Sequence, residues 1–437
     1  MHKFTYLFLC VLFISSCHPA NKTNRYKDIV TSDIKLFWEA YDQINSTQDS
    51  MLQMQYLKES FLDKGSIGLS TIQQVRNYQP AEYLAAIRNY PKYWNSIRSS
   101  TLEAKQYAAE IQKGIDGFKK LYPDYKPAKV YFEMGVFRTP GTALDSVIMI
   151  GAEMAMGDEN TVVEELPESM NYVKDYLKGN PVQDLAFLNV HEYVHSQQNA
   201  IGGYDLLSQS VFEGSAEFIA EIVTGQASIQ AAIEYGKAND DKVKARFSEE
   251  LFSPSYFHWI WNDTNNEFGT RDLGYYIGYA IVSKYYEQEA NKDLAFKTLI
   301  ELDFTDRKAI ESFVEKTGYF EQDLETLRVA YEESRPKVEG FIGLDMNAKN
   351  VAPGKQQFTV IFDQPMDPRF RSTDFGPSGK DHFPKIETIE FSEDGRSATY
   401  TIIMEPNTDY DMIIDRGYRN QRAIPLEPFN LKFRTGT

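Results

Sequence analysis

Apolar residues recur at helical spacing through most of the chain and give way to a strand-like pattern in two places. The amphipathic segments of 29–122 predict a run of helices. The period then shortens, and the β-rich runs 130–132 and 147–150 predict two strands with turn residues 139–142 between them. Helical periodicity returns after these strands, and residues 305–336 predict the two helices that close this part of the chain.

Alternation of apolar and polar residues begins again near residue 338. Positions 358–362, 400–404, 410–414 and 429–433 each place an apolar residue at every second position, with turn residues between the runs. Short strands of this kind, joined by turns, are typical of a β-sandwich. The predicted fold class is therefore α+β: a mostly helical domain with a small β-sheet, followed by an all-β sandwich.

One predicted helix carries two imidazoles. His191 and His195 are four residues apart, so they share a helix face at a span suited to one tetrahedral zinc ion. Glu192 lies beside them, in the place of a general base that takes a proton from a metal-bound water. Asn180 is the predicted N-cap of this helix, and the pair 202–203, both Gly, is its predicted end. The chain has only 6 His, so a chance occurrence of this spacing is improbable.

A zinc site of this type needs a third protein ligand. Glu213 is the natural candidate, on a second predicted helix that spans 206–224. Glu217 is the competing candidate, because Glu213, Glu217 and Glu221 are spaced by four and share one helix face.

These two motifs resemble the gluzincin metallopeptidases, which include the thermolysin and zinc-aminopeptidase types. The likeness is nearest to predicted zinc-dependent proteases that occur as bacterial lipoproteins. In those families HExxH is followed by a run like E-G-x-A-x-aromatic, and residues 213–218 read E-G-S-A-E-F. The resemblance implies a zincin-like domain that hydrolyses peptide bonds in a peptide or protein substrate. It implies one zinc ion with the ligands His191, His195 and Glu213, the base Glu192, and Glu217 as the residue that orients a ligand histidine.

Gluzincins also place a Tyr or a His opposite the base, where it stabilises an oxyanion. Tyr275 and Tyr276 are the catalytic candidates for this role, and His258 is the alternative. Gly274 and Gly278, four residues apart, predict that the helix carrying the two tyrosines packs closely on a neighbour.

The strand before the metal helices has a predicted role by analogy. In zincins the edge strand of the sheet binds extended substrate by β-augmentation. That role falls on residues 147–153 here, and two plain structural strands are the equal alternative.

The N-terminal segment has the features of an export signal. Residues 1–16 combine a positive start with a short apolar run, and they end in Ser-Ser before Cys17, which resembles a bacterial lipobox. The resemblance implies that Cys17 is lipidated, that residues 17–30 form a tether, and that the protein is anchored to a bacterial membrane, expected to be the outer membrane. An ordinary secretory signal is the alternative. The chain has 2 Cys, both in this segment, so disulfides and cysteine zinc ligands are excluded.

The predicted organisation after the tether is a metallopeptidase domain, 31–336, and a sandwich domain, 337–437. The sandwich resembles bacterial Ig-like domains of the surface-layer type, through the run F-D-Q-P-M-D at 362–367 and the terminal strand. That likeness implies a spacer or a module that binds a glycan or a protein. The formal net charge of −17 argues against nucleic-acid binding.

Two other functions stay open at this stage. One is a zinc-bearing but catalytically silent surface protein that acts as a scaffold or binding module through the sandwich. The other is a zinc hydrolase that acts on a non-peptide amide.

Overall fold

The N-terminal three quarters of the described chain are mostly helical. The computed structural model describes residues 26–256 and 258–437, so the expected signal peptide and the lipidation site Cys17 lie outside the described residues, as does most of the tether. The first six helices are α1 Ser32–Asn45, α2 Ser50–Ser60, α3 Ile67–Val75, α4 Pro80–Asn89, α5 Pro91–Leu102 and α6 Ala108–Leu121. The later helices are α7 Ala152–Ala155, α8 Asn171–Leu177, α9 Leu185–His195, α10 Leu206–Thr224, α11 Ala231–Ala238, α12 Asp240–Ser248, α13 Leu273–Gln288, α14 Lys292–Glu301, α15 Arg307–Thr317 and α16 Leu324–Ser334.

A small four-stranded sheet is formed by strands that lie on either side of helices α1–α6 in the chain. Its strands are β1 Ile29–Val30, β2 Lys129–Glu133, β3 Gly141–Leu144 and β4 Val147–Gly151, in the order β1-β2-β4-β3. Strands β1, β2 and β4 are parallel, and β3 pairs antiparallel with β4. The prediction that residues 147–153 form an edge strand is therefore wrong. Strand β4 is an interior strand, because the segment predicted as a turn at 139–142 leads into β3, which covers the edge of β4.

Helices α10 and α13 cross at very short range. A Cβ on Gly214 would lie 2.1 Å from the backbone carbonyl carbon of Gly278, and a Cβ on Gly278 would lie 1.7 Å from the carbonyl oxygen of Ser210. Gly274 faces Ile260 in the same way. Only residues without a side chain allow this approach, which confirms the close packing predicted from Gly274 and Gly278.

The C-terminal strands form two antiparallel sheets around a core of their own. The strands are β5 Val338–Ile342, β6 Gly354–Phe362, β7 Thr373–Phe375, β8 Lys385–Phe391, β9 Ser397–Met404, β10 Asp409–Ile414 and β11 Phe429–Arg434. One sheet has the order β5-β6-β9-β8 and the other β11-β10-β7. Alternate residues of both sheets share one buried cluster, in which the hydroxyls of Tyr400 and Tyr418 lie 2.5 Å apart. The predicted strands at 358–362, 400–404, 410–414 and 429–433 are all confirmed.

The fold is thus mixed α+β, as the pattern of apolar residues predicts. The helices and the first sheet share one large hydrophobic core, and the sandwich core is separate. Within the described residues no helix combines the length and the apolar character needed to cross a bilayer.

Candidate metal centre

Helix α9 carries the two histidines and is shorter than its sequence predicts. Asn180 adopts a left-handed conformation with φ of 54° and makes no side-chain cap; the chain then runs through a 3₁₀ turn, Pro181–Asp184, into α9. The helix ends at His195, not at the predicted glycine pair 202–203. His195 therefore stands in the last turn of α9, and the loop after it contributes further side chains to the site.

Helix α10 has the predicted bounds, 206–224. The Asp205 side chain accepts a hydrogen bond from the Ser208 N–H, and the Ser208 side chain accepts one from the Asp205 N–H, which completes a capping box. Gly225 ends the helix in a left-handed conformation with φ of 71°. Helix α10 packs against α9, so Glu213 faces the histidines.

His191, His195 and Glu213 converge at one point. His195 Nε2 lies 3.0 Å from His191 Nε2 and 3.2 Å from Glu213 Oε2, and His191 Nε2 lies 3.5 Å from the same carboxylate oxygen. Ligands bound at 2.0–2.1 Å to a tetrahedral zinc ion are separated by about 3.3 Å. The three side chains therefore have the identity and the spacing of a zinc donor set, and they form a candidate metal site within the described residues.

Each of these side chains is oriented by a second partner. His191 Nδ1 lies 2.9 Å from Glu217 Oε2, His195 Nδ1 lies 2.7 Å from Gln198 Oε1, and Gln209 Nε2 donates to Glu213 Oε1 at 3.0 Å. Partners of this kind fix the ring orientation of metal-binding histidines. Glu217 has the orienting position that the sequence resemblance implies, and it is not itself in the ligand trio.

Sequence reasoning missed Gln198 and Gln209. Gln209 lies four residues before Glu213 on the same helix, so the periodicity of α10 could have identified it. Gln198 had no such signal, because it follows the end of α9. Its amide is held by a hydrogen bond to the carbonyl oxygen of Phe212 at 3.2 Å, which turns its Oε1 toward His195.

The three side chains of the trio are largely buried. Burial lowers the pKa of His191, but hydrogen bonds to Glu213 and Glu217 outweigh that effect and raise the pKa to about 10. Burial also raises the pKa of Glu213, but the two histidines lower it further, to well below the usual range of a carboxyl. The carboxylates and the imidazoles of the site therefore stabilise one another's charged forms.

Glu192 lies at the side of the trio that faces strand β3. Its carboxyl is so close to Gly141 that a Cβ there would lie 2.6 Å from Glu192 Oε1. Burial raises the pKa of Glu192, while the charges of His195 and His191 oppose that change. Glu192 is thus close enough to both histidines to interact with them electrostatically.

The two predicted tyrosines have different surroundings. The Tyr275 ring lies 6.3 Å from the His191 ring, at an interplanar angle of 24°. Tyr276 faces away, and its hydroxyl donates to Asp240 Oδ1 at 2.8 Å. The alternative, His258, is exposed and interacts electrostatically with Asp367 of the sandwich. Of these three candidates, only Tyr275 lies beside His191.

Comparison with known proteins bears on the helical part of the chain. Residues 21–250, more than half of the chain, match the family model described as gliding motility protein GldB. No curated protein matches the chain.

Two solved structures are similar at low identity. One is surface layer protein SbsC, domains 1–6, with 16% identity over 75% of this chain and 45% of that one, at a TM-score of 0.18. The other is the S-layer protein rSbsC(31-844), with 12% identity over 93% of this chain and 46% of that one, also at a TM-score of 0.18. The chain spans slightly less than half the length of each structure, and at these scores neither likeness informs the fold or the function.

The family match corrects the expectation of a metallopeptidase. The helical part belongs with gliding motility lipoproteins, so the assignment to the gluzincins, the predicted peptide-bond hydrolysis and the expected peptide substrate are wrong. The expected association with a membrane agrees with a lipoprotein family.

Proposed function

Because this chain belongs to the gliding motility protein GldB family, we propose that it is an envelope lipoprotein that acts in gliding motility by binding and not by catalysis. In this proposal one zinc ion is held by His191, His195 and Glu213, within a zincin-like helical domain. The Ig-like sandwich, 337–437, serves as the module that binds a protein or glycan partner.

The zinc proposal rests on the convergence of three donor side chains, His191, His195 and Glu213. Each of them is also held by a further hydrogen-bond partner, Glu217, Gln198 and Gln209 respectively. Two imidazoles and a carboxylate lie within 3.5 Å of one another, and these are ligand types that zinc binds in proteins. When bound, the ion supplies positive charge and links α9 to α10. Binding free energy of this kind contributes directly to folding free energy.

A binding role for the sandwich is supported by its surface. Large apolar side chains are exposed on it, among them Ile342 at 64%, Met346 at 58% and Phe375 at 51%. Strands β5 and β7 are each at one edge of a sheet, where backbone groups are open to pairing. Surfaces with exposed apolar groups and open edges are those that partners cover.

Attachment at Cys17 completes the proposal. A lipid at that position would hold the helical domain at a membrane through the tether, 17–30, and we place this membrane as the outer membrane.

The test measures the zinc content of purified variants and the gliding motility of a deletion strain. We expect one zinc per wild-type chain, loss of zinc in His191→Ala, and wild-type zinc in His382→Ala, a half-buried histidine of the sandwich that serves as the matched control. In the organism that produces the protein, deletion of the gene should abolish gliding. A wild-type chain that binds no zinc, or gliding that survives the deletion, would refute the corresponding half of the proposal.

A further inference from the structure

One loop of the sandwich, residues 418–427, packs against the helical domain. Ile424 in this loop is only 1% exposed, and it packs in the core of the helical domain, not in that of the sandwich. Arg422 reaches across the junction, where its Nε donates to Glu250 Oε1 at 3.1 Å and its Nη2 to Glu249 Oε2 at 2.6 Å. The junction therefore combines the burial of an apolar side chain, Ile424, with ion pairs from Arg422 to two carboxylates.

Glu250 is the centre of this junction. It is 2% exposed, and it accepts hydrogen bonds from Arg246 Nη2 at 2.6 Å, from Arg422 and from Trp259 Nε1 at 2.8 Å. A buried carboxylate that loses one of its charged partners is strongly disfavoured. Removal of Arg422 would thus disturb the carboxyl group that holds Trp259.

The segment after Trp259 is joined to the beginning of α13. The Gly274 N–H donates to the carbonyl oxygen of Trp259 at 2.8 Å, and the Trp261 N–H donates to Asp272 Oδ1 at 2.6 Å. Asn262 Oδ1 accepts from the Asp272 N–H at 2.7 Å. Trp261 has a φ of 56°, a left-handed conformation that costs free energy in a tryptophan and persists only where its surroundings enforce it.

Trp261 makes the last contact before the metal site. Its Nε1 donates to the hydroxyl of Tyr275 at 3.3 Å, and the Tyr275 ring faces the His191 ring. An unbroken series of contacts therefore runs from Arg422 in the sandwich to a ligand histidine.

We propose that Arg422 is a positioning residue for the metal centre. By docking the sandwich on Glu250, it holds the Trp261 segment and Tyr275 against His191, and so it strengthens zinc binding. This inference rests on the proposed function, because it takes the trio as the zinc site. Binding free energies are reciprocal, so bound zinc also strengthens the docking of the sandwich.

The experiment compares zinc affinity in full-length variants by competition with a chromophoric chelator. We expect Arg422→Ala to weaken zinc binding about three- to tenfold, within the range of substitutions that act through such contacts. Arg422→Lys keeps the charge and should restore part of the loss. Arg434→Ala removes an exposed ion pair of the sandwich with Asp409 and is the matched control, for which we expect unchanged affinity.

A double-mutant cycle tests whether the contacts act as one series. Trp261→Phe should weaken zinc binding, and Arg422→Ala in that background should add little, because both changes interrupt the same contacts. Fully additive losses would contradict the inference. So would unchanged zinc affinity in Arg422→Ala.

Two further outcomes, a variant that does not fold and a wild type that binds no zinc, are distinguished by additional measurements. If Arg422→Ala does not fold, Arg422→Lys and Trp261→Phe decide the question by the same affinity measurement. If the wild type binds no zinc, the proposed function fails, and the coupling is then read from hydrogen exchange of residues 259–262. Arg422→Ala must accelerate that exchange, and unchanged exchange would overturn the inference.

Discussion

Glu217 Oε2 lies 2.9 Å from His191 Nδ1, and this contact leaves Nε2 as the His191 nitrogen that faces His195 and Glu213. The same carboxylate accepts a hydrogen bond from Gln230 Nε2 at 3.1 Å and one from the Ser228 hydroxyl. Both carboxylate oxygens are therefore held, so the imidazole has one preferred orientation, with Nε2 directed toward His195 and Glu213.

The first prediction concerns this contact. Glu217→Ala should weaken zinc binding by about 10- to 100-fold, the usual effect of removing a group that orients a ligand histidine. Chelator competition measures the affinity. Glu221→Ala is the matched control, since Glu221 is one turn further along α10 and accepts from the Tyr279 hydroxyl, away from the histidines. Equal zinc affinities in the wild type and Glu217→Ala would show that the contact does not orient the ligand.

The second prediction separates binding from catalysis. Glu192→Gln keeps the size of the side chain and removes its capacity to act as a base. Because the proposed role is non-catalytic, this variant should bind zinc and restore gliding in a deletion strain as well as the wild type does. Gliding speed and zinc content are the two measurements. A variant with full zinc and no gliding would contradict the proposal.

The third prediction concerns the crossing of α10 and α13. Gly278→Ala places a Cβ against the Ser210 carbonyl, so we expect the free energy of unfolding to fall by about 3 kcal/mol, the upper part of the range for overpacking. Denaturant unfolding measures the loss. Gly340→Ala is the control, because a Cβ there meets nothing within 4 Å. Similar losses in the two variants would indicate that the crossing is not tightly packed.

The fourth prediction concerns a buried carboxyl outside the metal site. Glu133 is fully buried beside Asp33 and Ser66, and its Oε2 has no hydrogen-bond partner. Burial, followed by the charge of Asp33, raises the pKa of Glu133 well above its ordinary value, and Glu153 adds to the effect. The folded protein therefore binds a proton here more tightly than the unfolded chain does.

The sign of the pH effect follows from that raised pKa. The contribution of Glu133 to stability is fully present below the ordinary pKa of a Glu carboxyl, 4.5, which applies to the unfolded chain, and is lost as the pH rises through the folded pKa. Glu133→Gln should therefore be more stable than the wild type at pH 8, with the difference shrinking toward pH 4. Exposed Glu234→Gln is the control. A difference that is constant with pH would contradict the assignment.

The sequence predicted those elements whose ends are determined locally. Helix α10 has the predicted bounds because the capping residue Asp205 and Gly225 act on adjacent backbone groups. Likewise, the trio of His191, His195 and Glu213 depends only on helical spacing and on the packing of two neighbouring helices.

Features determined by tertiary contacts were not predictable in this way. Helix α9 ends at His195, well before the glycine pair, because residues after it turn inward: Gln197 Oε1 accepts from the Lys126 N–H at 2.6 Å, and Gln198 binds His195. The interior position of β4 depends on β3, a segment rich in turn residues that pairs only in the folded sheet. The function could not be read from the HExxH pattern, because the same donor spacing serves a catalytic or a silent metal site.

The most direct test of the account is the zinc content of the purified full-length protein, measured by atomic emission for the wild type and Glu213→Ala. We predict one zinc per wild-type chain and a large loss of zinc in Glu213→Ala, with the sandwich still folded by its thermal transition. Retention of stoichiometric zinc in Glu213→Ala, or its absence from the wild type, would contradict the proposed metal centre.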